Sequence, residues 1–331
     1  MELIEMLDDR VRAQAEAGFA AACDRPVTLR ANTLRTTGDA IAGALEEAGI
    51  GFERIPWYQD AFVLTDVRER AVWDLDIYRT GHVYLQSLSS MVPPLLLEPR
   101  AGADILDMCA APGGKTAQIA ALTSNAAHLT ACEMSAPRAE KLSYNLEKLG
   151  AANVNIMRTD ARRLDEFFSF DQILLDAPCT GTGTYRAGDP QAAKRMTRQL
   201  LSKVTRSQRA LLDRALSILK PGGTLVYSTC SILAEENDEQ VRAALKRHRD
   251  CEVVPILLSR AQHIDGEYGS PAAEQDGSAE LRPVILDRAA EGSLALPVLS
   301  HDKALEGTLT LAPTQNYEGF YVAVIRKKAQ K

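Results

Sequence analysis

Short apolar runs alternate with amphipathic stretches between residues 104 and 227, and this alternation restricts the fold more than any other feature of the sequence. The runs have the length of buried strands and occupy residues 105–108, 129–132, 154–157, 172–175 and 224–227. Helical spacing occurs at residues 116–122, 137–150 and 195–219. Strands that alternate with helices favour a mostly parallel sheet with helices on both faces, an α/β doubly wound fold. Ligands of such sheets bind beyond the carboxyl ends of the strands.

A different pattern precedes this core. Helical spacing at residues 3–22 is followed by a short strand at 27–32, a helix at 41–48 that stops at Gly49, and a strand at 62–64. We therefore predict a small α+β domain at residues 1–75, a connecting segment at 76–100 and the α/β domain at 101–331. Within the α/β domain, residues 255–313 are rich in Gly, Pro, Ser and acidic residues and predict an irregular insertion, and residues 320–325 predict a closing strand.

The composition is that of an ordinary globular protein. Hydrophobic residues make up 46% of the 331 residues and charged residues 25%. No apolar run approaches the ~18 residues of a membrane span, and the first residues lack the basic start of a signal peptide. We therefore expect a cytoplasmic protein without membrane contacts, and we expect a monomer. The six cysteines are scattered and form no C-x-x-C pair, which predicts reduced thiols and no metal site.

The most informative stretch is the sequence DMCAAPGGKT at residues 107–116, directly after the first predicted core strand. Its small residues and two glycines allow a sharp turn and a close approach of the backbone to a ligand. A phosphate-binding P-loop requires glycine five positions before Gly114, where this chain has Cys109, and the G-x-G-x-x-G pattern of dinucleotide sites is absent. The turn therefore favours a nucleoside that lacks a phosphate chain.

Acidic residues end the next three predicted strands, at Glu133, Asp160 and Asp176. A single acid in this position is usually a helix cap or a solvated residue. Three of them after successive strands, downstream of a glycine turn, instead predict a cofactor pocket. In that pocket the carboxylate of Glu133 can accept hydrogen bonds from both hydroxyls of a ribose.

Two cysteines lie where such a site is expected. Cys179 follows the fourth predicted strand in the sequence DAPC, and Cys230 follows the fifth in STCS. Because neighbouring parallel strands bring their carboxyl ends to one edge, both thiols should face the cofactor pocket. The positions of Cys23, Cys132 and Cys251 instead suit inert packing.

Paired thiols beside a nucleoside pocket indicate a particular chemistry. Carbon 5 of cytosine is too weak a nucleophile to attack a methylsulfonium, but addition of a thiolate to carbon 6 makes carbon 5 enamine-like. Asp176 can assist at N3 of the base, and Lys115 can activate a cysteine or stabilise the polarised base. The base must be unstacked to enter the pocket, which predicts single-stranded or flipped nucleotides. These residues alone leave open which thiol is the nucleophile.

The same stretches resemble the NOL1/NOP2/Sun family of RNA cytosine-5 methyltransferases over residues 30–328. The matching blocks are RANTL at 30–34, YLQSLSSM at 84–91, DMCAAPGGKT at 107–116, DAPCTGTGTYR at 176–186, LKPGGTLVYSTCSI at 219–232 and EGFYVAVIRK at 318–327. Either cysteine block alone is a weak signal, whereas the two blocks and the glycine turn together are highly specific.

The resemblance implies a Rossmann-like core that uses S-adenosylmethionine (SAM), a small RNA-binding domain before it, and 5-methylcytosine in RNA as the product. The sequence leaves both ribosomal and transfer RNA open as the substrate, and of the two we favour ribosomal RNA. It makes Cys230 the nucleophile and Cys179 the helper in product release. It places the cofactor on Cys109, Ala110, Ala111, Pro112, Gly113, Gly114, Lys115, Glu133, Arg138, Asp160 and Asp176. The family often continues after its Pro-Cys loop with Arg-Arg/Lys-x-Pro, whereas this chain has YRAGDP at 185–190, so the resemblance does not extend to substrate contacts there.

A basic stretch lies between the two cysteine blocks, although the net charge is −6 and the isoelectric point near 5.5. Residues 186–214 contain eight basic and two acidic residues. For any one of these residues a solvated helix face is as good an explanation as an RNA phosphate, but for the cluster we favour RNA. Weaker candidates for RNA contacts are Arg30 and Arg35; Trp57, Tyr58 and Tyr84 suit core packing better than stacking on bases.

Other functions remain as alternatives. A non-catalytic RNA-binding or ribosome-assembly factor can keep this fold without turnover, and Cys230 would then be dispensable. Cys109 disfavours a P-loop hydrolase. An adenine amino-methyltransferase is disfavoured because no aromatic residue follows Pro178.

Overall fold

The computed structural model describes residues 2–259, 284–287, 294–302 and 304–329. The first sheet lies in the N-terminal part of the chain and is antiparallel, with the strand order β2-β3-β1-β4. Its strands are β1 (Thr28–Ala31), β2 (Phe52–Ile55), β3 (Tyr58–Leu64) and β4 (Val83–Leu85). Strand β2 and the first half of β3 lie outside the predicted strands because polar and aromatic residues interrupt their apolar alternation.

The main sheet has eight strands among the described residues, with the order β10-β14-β9-β8-β5-β6-β7, and β13 pairs with β14. Its strands are β5 (Asp104–Asp107), β6 (His128–Cys132), β7 (Val154–Met157), β8 (Phe170–Asp176), β9 (Leu219–Thr229), β10 (Cys251–Val254), β13 (Leu309–Leu311) and β14 (Phe320–Lys327). The five strands from β9 to β7 are parallel, and β14 is antiparallel to β9. The predicted doubly wound sheet is therefore confirmed.

The strand order reverses next to β5. After β5 the chain adds β6 and then β7 on one side of it, whereas β8 and β9 lie on the other side. The carboxyl ends of strands at such a reversal form a crevice, because the connections leave the sheet in opposite directions. The glycine turn leaves β5 at this point.

Ten α-helices connect or flank the strands of the described residues. They are α1 (Asp9–Ala21), α2 (Gly38–Glu47), α3 (Glu69–Trp73), α4 (Asp76–Arg79), α5 (Leu88–Leu96), α6 (Gly114–Leu122), α7 (Ala136–Leu149), α8 (Pro190–Arg195), α9 (Arg198–Ile218) and α10 (Asp238–Arg247). Helix α7 has proline in its first turn and ends at Gly150, which has a φ of 73°, as its sequence predicts.

The helix predicted at about residues 195–219 is confirmed as α9, which begins at Arg198, and the short helix α8 before it was not predicted. The chain forms α8 and α9 with a break at Met196 and Thr197, and the Thr197 hydroxyl accepts a hydrogen bond from the Leu200 amide at the start of α9. Helix α9 ends at Ile218, and β9 already begins at Leu219.

The Pro-Gly-Gly sequence after α9 is not a turn between elements but part of β9. Phe170 pairs with Leu219 and Gln172 with Thr224, so the residues between Leu219 and Thr224 bulge out opposite Asp171.

Residues 255–313 lie partly outside the described residues. Their described part contains the short parallel pair β11 (Ile256–Ser259) and β12 (Val284–Asp287), and also β13, so it is less irregular than predicted.

Helix α1 packs on the α/β part of the chain and not on the small sheet. Its apolar side chains share a buried cluster with Tyr185 of the Pro-Cys loop and with Ile232 and Leu233 after the second cysteine block. The core of the small sheet is a separate cluster that includes Leu29, Ile41, Leu45, Phe62, Leu64 and Val72. The predicted division at residues 75 and 100 stays a prediction.

Candidate active site

The turn after β5 is held by its own backbone and by β6. The Ala110 amide donates to the Cys132 carbonyl at 3.0 Å, and the Gly113 amide donates to the Ala110 carbonyl at 2.8 Å. The Cys109 amide donates to the Asp107 carboxylate at 3.3 Å. These contacts fold residues 108–113 back over the sheet, and α6 starts directly behind them.

Both glycines of the turn are required by geometry. Gly113 has a φ of 108°, a region that residues with a Cβ rarely adopt. At Gly114 an added Cβ would lie 2.6 Å from Cε1 of Tyr84. The absence of a side chain at Gly114 therefore lets α6 pack closely against Tyr84 of β4.

A cavity of about 210 Å³ lies between this turn and the segment 84–90. Residues of the glycine turn and the ends of β5 and β8 form one side of the cavity, and residues 84–90 form the other. Its lining consists of Tyr84, Leu85, Gln86, Ser87, Ser90, Asp107, Cys109, Ala110, Ala111, Pro112, Gly114, Lys115 and Asp176. Six of the eleven predicted cofactor residues lie on the turn side of this lining, and Asp176 lies at its strand side.

Glu133, Arg138 and Asp160 do not line this cavity. The Arg138 guanidinium lies 3.1 Å from Glu133 Oε2 and also donates to the Ala111 carbonyl at 2.9 Å, so these two residues border the turn from outside. Glu133 is buried. Asp160 follows β7, and both of its oxygens accept hydrogen bonds from the Arg162 guanidinium, which lowers the pKa of the carboxyl.

The two cysteine blocks meet at the carboxyl ends of β8 and β9. The sulfur atoms of Cys179 and Cys230 lie 3.0 Å apart, and both residues are partly exposed. Three residues before Cys179, the Asp176 carboxylate accepts hydrogen bonds from Lys115 Nζ at 2.7 Å and from the Ser228 hydroxyl at 2.9 Å. The four predicted catalytic residues thus lie together at one rim of the sheet.

The surroundings shift the acid–base properties of these groups. The hydrogen bond with Cys230 and burial raise the pKa of the Cys179 thiol well above its ordinary value, so this thiol keeps its proton at neutral pH. Burial acts to lower the pKa of Lys115, but the adjacent Asp176 outweighs this effect and raises the pKa. Lys115 is therefore a stable ammonium beside the two sulfurs.

The sequence reasoning missed Asp107 as a member of the site. Its carboxyl group lines the cavity, is buried, and accepts a hydrogen bond from the Thr116 hydroxyl at 2.7 Å. Burial raises the pKa of Asp107 to about 6. The signal was available, because Asp107 ends the strand before the glycine turn in the same way that Glu133 ends β6. No comparable sequence pattern predicted that Gln86, Ser87 and Ser90 would form the other wall of the cavity.

Arg30 is wrong as a candidate for RNA contacts. Its side chain is fully buried, and its guanidinium donates to Gln86 Oε1 at 3.0 Å and to the Gly114 carbonyl at 3.4 Å. Arg35 is exposed. Trp57 and Tyr58 are buried, which confirms that they pack in the core, and Tyr84 lines the cavity.

Most of the basic stretch is on the surface. The exposed basic side chains of residues 186–214 are Arg186, Lys194, Arg195, Arg198, Lys203, Arg206 and Arg209. Helix α9 also touches the Pro-Cys loop, because the Gln208 side chain donates to the Pro178 carbonyl at 3.0 Å. The basic surface therefore continues from the rim that carries the thiols.

A larger surface groove of about 660 Å³ lies at the opposite rim, among the starting residues of β5 to β8. It contains none of the predicted site residues, so we place the active site in the smaller cavity. The described residues include no group of His, Cys, Asp and Glu side chains suited to a metal ion. Within the same ranges, no helix combines the length and the apolar character needed to cross a bilayer.

Comparison with solved structures places this fold among the Rossmann-like methyltransferases. A methyltransferase homologue from Pyrococcus horikoshii superposes with a TM-score of 0.74 and 30% identity, covering 98% of this chain and 93% of the other. NSun6 from P. horikoshii, solved with the SAM analogue SFG, also has a TM-score of 0.74, at 22% identity, covering 99% and 98% of the two chains, and supports the fold alone.

Sequence comparison specifies the family. Residues 94–326 match the family described as 16S rRNA methyltransferase RsmB/F. Ribosomal RNA small subunit methyltransferase F of Shewanella amazonensis is 35% identical over 319 residues, which cover 94% of this chain and 60% of the relative. The chain belongs to the RsmB/F family, which confirms the resemblance to NOL1/NOP2/Sun proteins. It spans about 60% of the length of that relative.

Proposed function

We propose that this protein transfers a methyl group from SAM to carbon 5 of a cytosine in ribosomal RNA, through a covalent bond between Cys230 and carbon 6. The observation that carries the proposal is the meeting of two thiols, an ammonium and a carboxylate beside the glycine turn. Sulfur–sulfur and ammonium–carboxylate contacts of 3.0 and 2.7 Å join residues from β8, α6 and the loop after β9. Ribosomal RNA follows from the family description.

The cavity suits SAM. Its wall of small residues and Gly114 leaves room for a ligand against the backbone, and Asp107 offers a buried carboxylate for the ligand's cationic groups. We assign the ribose hydroxyls to Glu133, which borders the turn outside the cavity, and we assign further contacts with the nucleoside to Arg138 and Asp160. The bound cofactor would supply an electrophilic methyl group at the rim that carries the thiols.

The residues of the rim divide the chemistry between them. The thiol proton of Cys230 passes to solvent, and the resulting thiolate adds to carbon 6. A proton reaches N3 from Lys115 through Asp176, with which Lys115 shares a hydrogen bond, and neutralises the charge that the addition places on the ring. Carbon 5 then carries its original proton and the methyl group that SAM would supply, with S-adenosylhomocysteine as the leaving group. The carbon 5 proton passes to solvent, the N3 proton returns to the Lys115–Asp176 pair, and cleavage of the sulfur–carbon 6 bond regenerates the Cys230 thiolate and the aromatic base. Cys179, which keeps its proton, lies in contact with the sulfur that must leave.

We propose that the RNA lies across α8 and α9. Seven exposed basic residues of the stretch 186–214 lie on and beside these helices, which touch the Pro-Cys loop through Gln208. Phosphates bound there would flank a base that is flipped into the rim. We further propose that residues 1–75 act as the RNA-binding domain, with residues 76–100 as a connection to the catalytic domain.

The test uses the full chain, SAM with a labelled methyl group, and small-subunit ribosomal RNA from cells that lack this gene. We expect 5-methylcytosine in the digested RNA. Cys230→Ala should reduce methyl transfer by at least about 1000-fold, because no thiolate adds to carbon 6. Cys179→Ala should accumulate a protein–RNA adduct that survives denaturation, because product release is slowed.

Three outcomes would change the proposal. An adduct with Cys230→Ala, and loss of all transfer with Cys179→Ala, would reverse the two roles. A methylated adenine or guanine would exclude cytosine chemistry. Bisulfite sequencing of cellular RNA with and without this gene identifies the modified nucleotide. A Cys230→Ala variant that restores every phenotype would instead favour the non-catalytic alternative.

A further inference from the structure

One buried carboxylate contacts the residue that follows each of the two cysteines. Glu236 ends the short 3₁₀ helix Ala234–Glu236, and its side chain is fully buried. Its carboxylate accepts hydrogen bonds from the Thr180 amide at 2.8 Å, from the Thr180 hydroxyl at 2.5 Å and from the Ser231 hydroxyl at 2.5 Å. Thr180 follows Cys179, and Ser231 follows Cys230. The two loops are therefore joined through one side chain.

Glu236 is itself held by two further elements. Gln208 of α9 donates to Glu236 Oε1 at 3.2 Å, and the same amide group donates to the Pro178 carbonyl before Cys179. Tyr227 of β9 donates its hydroxyl to the Glu236 backbone carbonyl at 2.6 Å. The carboxylate is thus fixed relative to both the sheet and α9.

A second contact joins the same loops. The hydroxyls of Thr182 and Ser231 lie 2.9 Å apart, and the Ile232 amide donates to the Thr182 hydroxyl at 3.2 Å. Ser231 therefore links Glu236 to Thr182, and removal of the carboxylate would release the Ser231 hydroxyl from one of its three partners, which are Glu236, Thr182 and the Leu233 amide. The hydrogen bonds of Glu236 and Thr182 hold the loops together, along with the Gly183 amide, which donates to the Cys230 carbonyl at 3.0 Å.

The donors that Glu236 meets in the described part of the chain are all neutral. They are an amide N–H, two hydroxyls and a side-chain amide. A buried carboxylate without a cation is unfavourable, and burial correspondingly raises the pKa of Glu236. Among the described residues no ion pair offsets this cost, so the contribution of Glu236 lies in the four hydrogen bonds that orient the two loops.

We propose that Glu236 is a positioning residue that holds the Cys179 and Cys230 loops together so that the two sulfur atoms stay in contact during the reaction. The inference rests on the proposed function, since it assigns Glu236 a part in that same reaction. Glu236 does not line the cofactor cavity. Replacement of Glu236 should therefore change the relative position of the two thiols and leave the Kd for SAM unchanged.

The experiment compares Glu236→Gln with the matched control Glu235→Gln, which makes the same chemical change one residue earlier on a half-exposed side chain. The first readout needs neither SAM nor RNA. Diamide takes two electrons and two protons from a pair of thiols and leaves a disulfide, so the rate of Cys179–Cys230 bond formation reports how the two sulfurs are held. Mass spectrometry of the linked peptides separates this bond from those of the other four cysteines.

We expect Glu236→Gln to form this disulfide at least about 10-fold more slowly than the wild type and to reduce kcat by about 10- to 100-fold, the effect of a small misplacement of reacting groups. The KM and the Kd for SAM should stay within about twofold. Glu235→Gln should match the wild type in every measurement. Ser231→Ala, which removes one hydroxyl donor, should slow the disulfide by about fivefold.

The proposal is overturned if Glu236→Gln forms the disulfide at the wild-type rate. It is also overturned if the variant raises the Kd for SAM by the same factor by which it lowers kcat, because that result would indicate a general loosening of the fold. If Glu236→Gln fails to fold, Ser231→Ala decides alone, and a wild-type disulfide rate there also overturns it. If the wild type methylates no cytosine, the proposed function fails, whereas a slow disulfide in Glu236→Gln still establishes the positioning.

Discussion

At the scale of single residues, the candidate site depends on a few positions where the neighbouring residues determine the protonation of a side chain or the size that it can have. Asp107 is the clearest case, because it lines the cavity and is buried, and burial raises its pKa to about 6. SAM carries an ammonium and a sulfonium, so an ionised carboxylate in the cavity favours its binding. The ionisation of Asp107 should therefore appear in the affinity for the cofactor.

We predict that SAM binds with constant affinity at pH 7–8 and more weakly as the pH falls through about 6. The sign follows from the raised pKa: the carboxylate is ionised above this value and neutral below it. Each further pH unit should raise the Kd by up to about 10-fold. Isothermal titration calorimetry at pH 5–8 measures this profile. Asp107→Asn should bind weakly at every pH, and a variant that keeps the wild-type profile would rule out Asp107 as its source.

Gly114 is the second residue whose replacement has a defined effect. An added Cβ would meet the ring of Tyr84 at 2.6 Å, and Tyr84 lines the cofactor cavity. We predict that Gly114→Ala weakens SAM binding by about 10-fold, because the ring or the turn must shift. Gly43→Ala is the matched control, since this helical glycine has open space around its Cβ position. It should bind SAM normally and gain about 0.5–1 kcal/mol of stability. Equal affinities of the two variants would contradict the role of the close contact.

At the scale of elements, α8 and α9 combine two tasks. Their buried faces pack against the core and against α1, and their exposed faces carry most of the basic stretch.

We predict that Lys203→Ala and Arg209→Ala on α9 each weaken RNA binding. Each should also reduce by about 1 the magnitude of the slope of the logarithm of the association constant against the logarithm of the salt concentration, as expected for one lost phosphate contact. Lys328→Ala is the control, because Lys328 follows β14 at the opposite rim of the sheet. Filter binding at several salt concentrations measures the slopes. If all three variants share one slope, the RNA lies elsewhere.

At the scale of the whole molecule, the cofactor site joins parts that are distant in the sequence. Buried Arg30 of the small sheet donates to the Gly114 carbonyl in the glycine turn. The Gln86 side chain, in the opposite wall of the cavity, donates to Gln118 of α6 at 3.0 Å. A ligand in the cavity would therefore contact residues 84–90, which begin in β4 of the small sheet, and also residues at the ends of β5 and β8 in the main sheet.

We predict that SAM stabilises the whole chain as one unit. At a concentration 100 times its Kd, binding to the folded state adds about 2.7 kcal/mol to the free energy of unfolding. This raises the Tm by several degrees in a single transition. Differential scanning calorimetry with and without SAM tests this. Two transitions, of which only one responds to SAM, would show that the small sheet unfolds independently of the cofactor site.

Much of the fold was predictable because its causes are local. The apolar runs of the parallel strands, the proline and glycine that bound α7, and the glycine turn after β5 depend on side-chain alternation and on backbone angles that few residues adopt. The predicted site residues at strand ends followed from the same logic, because parallel strands bring their carboxyl ends to one rim. Strand β2 escaped prediction because polar and aromatic residues interrupt its apolar alternation, and the start of α9 was placed too early because the Thr197 cap gives no apolar periodicity.

Amino-acid order was thus sufficient for the architecture, the glycine turn and the group of side chains around Cys179 and Cys230. Only the folded chain decided that these sulfurs, 51 positions apart, lie in contact, that Arg30 is buried behind Gly114, and that Glu236 joins the two cysteine loops. The physical reason is the range of the interactions. The alternation of apolar side chains along a strand and the backbone angles of glycine depend on a few neighbouring residues. A buried hydrogen bond between distant loops instead depends on how the whole sheet is assembled.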